Sequence, residues 1–557
     1  MVKLEICTAG AVAGNDAELD RTVASRRAEE YVMGRHTAQP NACLSSVAFS
    51  QQLGCRGKLV LFAVCLGVLI ASHWSDLSLP YFWDEAGYFV PAALDLFNTG
   101  DPIPRSVAPN PHPPLVAASL ATAWHLFGFS TVATRLTMLC WAAVALLAVY
   151  VLCEWLGGFR LGVAASLCTF MYPVFFAQSS LAQLDLPAAA MTLWGVVFYA
   201  RGKLRASALT LSAAILCKES AAVAVASLLL FECLSIWRGK RVAAWTSLAS
   251  VLLPALVLAL WLLFVYARTG NVLGNAEFSR YNVSGAALTL PRFLAALLHR
   301  TWDAAGHFFL FLLTLPAALS LIPFRGRPAG REGGGVPLLI TMTVALYAAA
   351  FSLLGGAILA RYMLTAAILV IVLSIYLVSR RWRHWWVLVS VTLVAFGMGL
   401  ATPPPYHYAY DENLAYRDFI EVHRRAAAVL SAERLPVITT WPATDELSKP
   451  YLGYVRTGLA VVAAPDLSLD SIGRAAVQCR GCAILFFPTQ YEPSESMLRP
   501  GAVLRRFRFW TEAQQRFETR PAKLSPEALA AAIGAEITWC WRAGPVYAAV
   551  LRLPSSK

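Results

Sequence analysis

Apolar blocks of membrane-spanning length recur along most of the chain, with short polar stretches between them. About twenty such residues carry a helix across a hydrocarbon core. The first block is KLVLFAVCLGVLIASHW, residues 58–74. Similar segments follow at 132–155, 161–180, 187–200, 205–217, 220–237, 243–266, 304–323, 336–354, 360–379 and 384–401. Together they predict a polytopic α-helical membrane protein with roughly 11–13 transmembrane helices. The stretch PPLVAASLATAWHLF (113–127) is too short to span and predicts an interfacial or re-entrant helix. Beyond residue 402 the pattern changes. YRDFIEVHRRAAAVL has a helical period, LPVITTW and CAILFFP read as buried strands, and PEALAAAIG reads as a helix, so 402–557 predicts a soluble α/β accessory domain. Residues 1–57 are mixed in composition, lack the pattern of a secretory signal and predict a disordered cytoplasmic tail.

The basic residues set the sidedness. CRGK (55–58), FR (159–160), RGKLR (201–205), WRGKR (237–241), FRGRPAGR (324–331) and SRRWR (379–383) fit cytoplasmic loops under the positive-inside rule. This clustering also explains the formal net charge of +13 without invoking nucleic acid. An even number of crossings between each pair leaves loop 75–131, turn 179–187, Lys218, loop 267–303, Arg361 and the region from 402 on the outer face. Of the 12 cysteines, Cys65, Cys140, Cys153, Cys168, Cys217 and Cys233 lie in apolar segments; Cys479, Cys482 and Cys540 lie in a polar region, with their redox state open.

Ionisable groups at that outer face are the candidates for chemistry, because a charge near a bilayer is costly without a role. In YFWDEAGYF (81–89), Asp84 sits in a shell of aromatics, and desolvation there would tune a carboxylate toward general-base work. Glu85 is adjacent, so in a helix the two side chains diverge and one acts while the other orients. Tyr88 completes the cluster. Asp185 reads either as a helix-start residue or as a site acid. Lys218 reads either as an ion-pair partner of Glu219 or as a phosphate-holding cation, and Arg361 either snorkels or holds a lipid phosphate. Arg300, His112 and His307 are further binding candidates. A divalent metal stays open and would need His112, His307 and a carboxylate to meet.

The order of motifs resembles a known family. DEAGYFVPAALDLFNTGDPIPR, then PHPPL and GFSTVATRLTM, is similar to the first outer loop of the GT-C membrane glycosyltransferases. The nearest branch holds the protein O-mannosyltransferases and the lipid A aminoarabinose transferase. QLDLPAAAMTLWG resembles their second outer turn, LCKESAAV an internal Lys segment and ARYML a late Arg-Tyr motif, in order over residues 58 to about 400. The resemblance implies inverting transfer of a sugar from a polyprenyl phosphate to a hydroxyl or phosphate of a lipid, glycan or protein acceptor at the outer face. It implies Asp84 as base or orienter, and basic residues such as Lys218 and Arg361 on the departing phosphate. It further implies a bacterial inner membrane, with the site and residues 402–557 on the periplasmic side. One departure stands out: His112 precedes PPL where the lipid A branch usually carries Lys, so either the donor contacts differ or Arg361 and Lys218 carry more of the phosphate, and lipid A is weakened as acceptor.

Two other classes compete. A transporter or lipid-linked-sugar flippase would place ionisable groups at the bilayer midplane within inverted repeats. An envelope-assembly protein would use the α/β region for binding and the helices as scaffold. Convergence of Asp84, Asp185, Lys218 and Arg361 on one site separates the enzyme from both.

Overall fold

The computed structural model describes residues 53–239, 245–284, 289–322, 335–479, 481–489, 491 and 524–554. The expected N-terminal tail, apart from residues 53–57, and the basic loop 324–331 lie outside them. Among the described residues, six helices are long and apolar enough to cross a membrane: Cys55–Ser72, Thr131–Gly157, Glu219–Trp237, Val251–Thr269, Val336–Leu353 and Ala360–Arg381. The chain is therefore an integral membrane protein. Their burial sorts them. The windows in Thr131–Gly157 and Ala360–Arg381 are 67% and 72% buried and form the centre, while that of Cys55–Ser72 is 6% buried and faces outward. Ala142, Ala145 and Ala148 are buried on Thr131–Gly157, small side chains of the kind that let helix backbones approach closely.

Every expected crossing carries helix, and several of these helices are shorter than a full membrane span. Asp185–Ala200, Leu204–Cys217 and Trp385–Ala401 have 10–17 residues. The crossing expected at 161–180 is interrupted: Phe159–Met171 ends at Tyr172, and Pro173 opens the separate helix Pro173–Gln178, because proline disfavours helical backbone in the residue before it. The crossing expected at 304–323 is replaced by two helices, Leu290–Phe309 and Phe311–Ser320, bent by 110°. Phe308 and Phe309 take left-handed backbone at the bend, with φ of 45° and 68°, so apolarity continues where the helix does not. The short segment at 113–127 forms the helix Leu115–Phe127, anchored by Trp124 Nε1 donating to Thr134 Oγ1 at 3.0 Å.

The C-terminal region is α/β as expected. Strands β1 (Val437–Thr439), β2 (Val461–Ala463), β3 (Ala483–Phe486), β4 (Glu536–Ala543) and β5 (Val546–Arg552) form one sheet in the order β2-β1-β3-β5-β4. The first three are parallel, joined by helices, and β4–β5 is an antiparallel hairpin. Cys479 and Cys482 are disulfide-bonded and Cys540 is free.

This region is welded to the loop at 75–131. On helix Ala415–Glu433, Arg417 Nη2 and the Tyr416 hydroxyl donate to buried Asp76 at 2.6 and 2.8 Å. Phe419 packs edge-on to Phe82 and Trp83, and the Tyr454 hydroxyl donates to the Tyr81 carbonyl at 2.9 Å. Trp441 lies directly over Gly87, where a Cβ would collide with the indole. Gly87→Ala is therefore expected to destabilise the protein by about 1–3 kcal/mol through overpacking. In thermal unfolding of the purified protein, Trp441→Ala added to Gly87→Ala should recover much of that loss. Additive losses in the double variant would show that the contact does not matter.

Candidate active site

The loop at 75–131 leaves Cys55–Ser72, makes a 3-10 turn at Trp74–Asp76 and reaches Trp83, whose φ is 44°. A non-glycine residue rarely takes this conformation unless its surroundings impose it. Here Phe419 and Trp441 clamp the Trp83 ring. One π-helical turn, Glu85–Phe89, then leads into helix Val90–Thr99. Glu85 holds that turn in place. Its side chain is 0% exposed and accepts from Arg135, from the Ala182 amide, and from the Phe82 amide at 2.8 Å. Arg135 also donates to the carbonyls of Ser180 at 2.8 Å and Pro80 at 3.0 Å. Glu85, expected among the catalytic candidates, is thus closed off from solvent by its own hydrogen-bond partners.

Asp84 points the other way, onto Arg361. The Arg361 guanidinium, 5% exposed, donates Nη2 to Asp84 Oδ2 and Nη1 to Gln183 and to Asp411 Oδ2, the last at 2.6 Å. Its Nε lies 3.9 Å from Asp185 Oδ2 and makes no hydrogen bond. Arg361 can do this because it stands in the 3-10 turn Ala360–Met363, where the chain enters its membrane helix. It does not snorkel. Lys218, between Leu204–Cys217 and Glu219–Trp237, donates Nζ to Asp185 Oδ1 at 2.6 Å and lies 4.3 Å from the centre of the Tyr362 ring. Asp185 is the first residue of its helix. The four charged candidates from separate segments therefore meet in one cluster.

The remaining candidates distribute around it. Glu219 pairs with His112 Nδ1 at 2.9 Å instead of with Lys218, which corrects the neighbour pairing expected from sequence. The His112 ring meets Tyr88 and Phe89, and burial raises the Tyr88 phenol above its ordinary range. Arg300 is buried and donates to the carbonyls of Leu359 at 3.1 Å and Ala357 at 3.3 Å, so it braces the backbone leading to Arg361. His307 Nε2 contacts Glu412 Oε2 at 3.0 Å, and Glu412 Oε1 accepts the Ala360 amide at 2.8 Å. Burial pushes the Glu412 carboxyl up, and the imidazole beside it pulls it back. His112 and His307 have different carboxylate partners, and no three His, Cys, Asp or Glu side chains among the described residues come together to hold a metal ion. The metal arrangement that needed both histidines does not form.

Asp411 and Glu412 were not anticipated. They enter from YAYDENLAY (408–416), a second aromatic-flanked Asp-Glu pair that matches YFWDEAGYF in kind. Asp411 Oδ2 also accepts from Gln178 and Gln183, at 3.3 and 3.2 Å. The cluster thus places three carboxylates, Asp84, Asp185 and Asp411, on two cations, Arg361 and Lys218. Asp84 is the accessible acid, with a side chain 21% exposed against 9% for Asp185 and 4% for Asp411. Its Oδ1 accepts no hydrogen bond among the described residues. Chemically, the cluster offers one steered carboxylate oxygen backed by two buried cations.

With this geometry in hand, comparison with solved structures identifies the fold. ArnT from Cupriavidus metallidurans bound to undecaprenyl phosphate aligns over 89% of this chain and 98% of its own, with 14% identity and a TM-score of 0.50. ArnT in the apo state gives the same values. The archaeal oligosaccharyltransferase AglB from Archaeoglobus fulgidus, in complex with an inhibitory peptide and a dolichol-phosphate, covers 77% of this chain and 69% of its own at 10% identity and a TM-score of 0.42. No protein-family model and no curated protein matches the sequence. The chain has the GT-C fold, as its motif order predicted.

The Glu85–Arg135 pair has a direct consequence. Glu85→Ala leaves a buried guanidinium without its counter-ion and is expected to remove about 3–5 kcal/mol of stability. Glu85→Gln, which keeps an acceptor, should lose less. Thermal unfolding of both variants in one detergent measures this. Equal, small losses would mean that Arg135 is held by its carbonyl contacts alone.

Proposed function

We propose that the protein is an inverting glycosyltransferase that moves a sugar from a polyprenyl phosphate to an acceptor hydroxyl at the outer membrane face. The observation that carries this reading is the presentation of Asp84 on Arg361, with Lys218 and Asp185 alongside. The GT-C fold, and the undecaprenyl phosphate bound by a protein sharing it, support a lipid-phosphate donor. In this mechanism the acceptor oxygen attacks the anomeric carbon, the bond from that carbon to the phosphate oxygen breaks, and its electron pair leaves with the phosphate. The acceptor proton passes to Asp84 Oδ1. A protonated Asp84 binds Arg361 less tightly, so proton transfer loosens the guanidinium as negative charge grows on the leaving phosphate. Arg361 and Lys218 then stabilise that charge in a poorly solvated site. His112 and Tyr88 line the first-loop side of the cluster and serve the donor in this reading. The transported-substrate alternative fits less well, because Asp84, Asp185, Lys218 and Arg361 all stand at helix ends.

Asp84→Asn preserves the shape and one acceptor oxygen but removes the base, and is expected to slow transfer by about 10²–10⁴-fold. Mass spectrometry of envelope lipids and glycans from cells expressing it should show a polyprenyl-phospho-sugar accumulating while one acceptor loses that sugar's mass. An unchanged profile with folded, abundant variant protein would remove the assignment.

We further propose that the site and the C-terminal region face the periplasm of a bacterial inner membrane. Cys540, exposed on β4, then reacts with a membrane-impermeant maleimide in intact spheroplasts, and Cys540→Ser loses that label. Labelling of Cys540 only after lysis would reverse the orientation.

A further inference from the structure

One carboxylate–imidazole pair borders the charged cluster. His112 lies in loop 75–131, just before helix Leu115–Phe127, and Glu219 opens the 3-10 turn that follows Lys218. His112 Nδ1 is 2.9 Å from Glu219 Oε2, and the two side chains are 17% and 25% exposed. An ionised carboxylate only accepts, so Nδ1 carries the proton in this contact. The rings of Tyr88, Phe89 and Phe278 stand 6.3, 6.0 and 5.7 Å from the imidazole between centroids and fix its plane. Nε2 makes no hydrogen bond among the described residues.

Both partners lead directly to the reacting groups. Tyr88, against the ring, belongs to the π-helical turn that follows Asp84, and Glu219 comes next after Lys218, which holds Asp185. The titratable groups that face the ring are Glu219 and Tyr88, with Lys218 behind Glu219. The Tyr88 phenol, raised by burial, stays neutral. Phe89, Phe278 and Asn110, whose side chain accepts the His112 amide at 3.0 Å, carry no charge, and Glu277 beside Phe278 is exposed to solvent.

Charge decides what the pair can do. Asp84, Asp185, Asp411 and Glu219 set four negative charges against the two positive charges of Arg361 and Lys218. A neutral His112 leaves an excess of two, and an imidazolium leaves one. The second arrangement repels an entering phosphate less, and only in it is Nε2 a donor.

We infer that His112, aligned by Glu219, is a charge-switching contact for the lipid phosphate: it binds through Nε2 as an imidazolium, so engagement of the donor takes up one proton from solvent. The same N–H meets the phosphate as negative charge grows on it, and the proton returns to solvent when the lipid product leaves. Use of the donor therefore rises as the outer compartment turns acidic.

This role rests on the transferase reading, and one titration separates the two. The probe is the methyl ester of undecaprenyl phosphate, a phosphodiester whose own charge stays at minus one throughout. Its binding to the full chain in zwitterionic lipid nanodiscs is measured from about pH 8 to about pH 5.5, across the range in which imidazoles change charge. Where only the imidazolium form binds, apparent affinity follows the protonated fraction, and wild type should tighten by about tenfold or more on acidification. His112→Lys, permanently charged, should bind at the alkaline end as wild type does at the acidic end, with the pH dependence gone. His112→Gln should be flat and weak. Glu219→Gln, which leaves the ring in place, should move the rise to lower pH by roughly one unit. Thermal unfolding checks that each variant is folded. Should both His112 variants fail to fold, Glu219→Gln alone decides, and an unshifted rise counts against the switch. Equal wild-type affinity at both ends of the range, or a rise that persists in His112→Gln, would overturn the switch and leave the transferase reading standing. Failure of the phosphodiester to bind wild type at any pH would remove both.

Discussion

The structure of the site depends on one guanidinium. Arg361 reaches Asp84 in the first outer loop, Gln183 before the helix Asp185–Ala200, and Asp411 at the start of the C-terminal region, with Asp185 just beyond hydrogen-bond range. A buried cation is tolerable only when its donors are met, and the planar fork of arginine meets several acceptors at once where an ammonium could not. Four segments distant in sequence are thus held at fixed angles by one side chain. Removing Arg361 would leave three acids facing one another around Lys218 alone.

That arithmetic of charge is also what makes the cluster chemically useful. Two cations among three carboxylates leave one negative charge in excess when all are ionised. Uptake of one proton therefore relieves repulsion as well as breaking an ion pair. Of the three acids Asp84 is the most exposed, at 21% against 9% and 4%, so the excess negative charge lies nearest solvent at Asp84. Glu85 secures this from behind. By saturating Arg135 and two backbone amides, it fixes the π-helical turn that aims its neighbour, and the two adjacent carboxylates take opposite parts.

Much of this was legible in the chain. Asp84, Asp185, Lys218 and Arg361 stood out because each interrupts or bounds an apolar run, where an idle charge would be selected against on energetic grounds. The GT-C fold followed from the order of these motifs. The pairings were not legible. Lys218 takes Asp185 and leaves Glu219 to His112, because residues adjacent in sequence across a helix start point apart while residues 33 positions away face each other. The bend at Phe308 was hidden because apolar composition reports solvent, not backbone direction. Asp411 was missed for a different reason: it belongs to a stretch whose composition had already become that of a soluble domain, and only packing brings it back to the membrane helices.

That last point changes how the C-terminal region is to be understood. An appended domain contacts its neighbour through surface side chains, and losing it leaves the neighbour's interior intact. Here the turn Tyr410–Glu412 is wholly buried, Asp411 completes the coordination of Arg361, and Glu412 caps the Ala360 amide that precedes it. Arg417 and Tyr416 then fix Asp76, and Trp441 closes over the turn that carries Asp84. The helical bundle alone would hold Arg361 with one fewer counter-ion and Asp84 on an unclamped loop. The chain beyond the last membrane helix thus supplies one of the three acids on Arg361 and the indole that closes over the Asp84 turn, so the α/β region contributes side chains to the cluster itself.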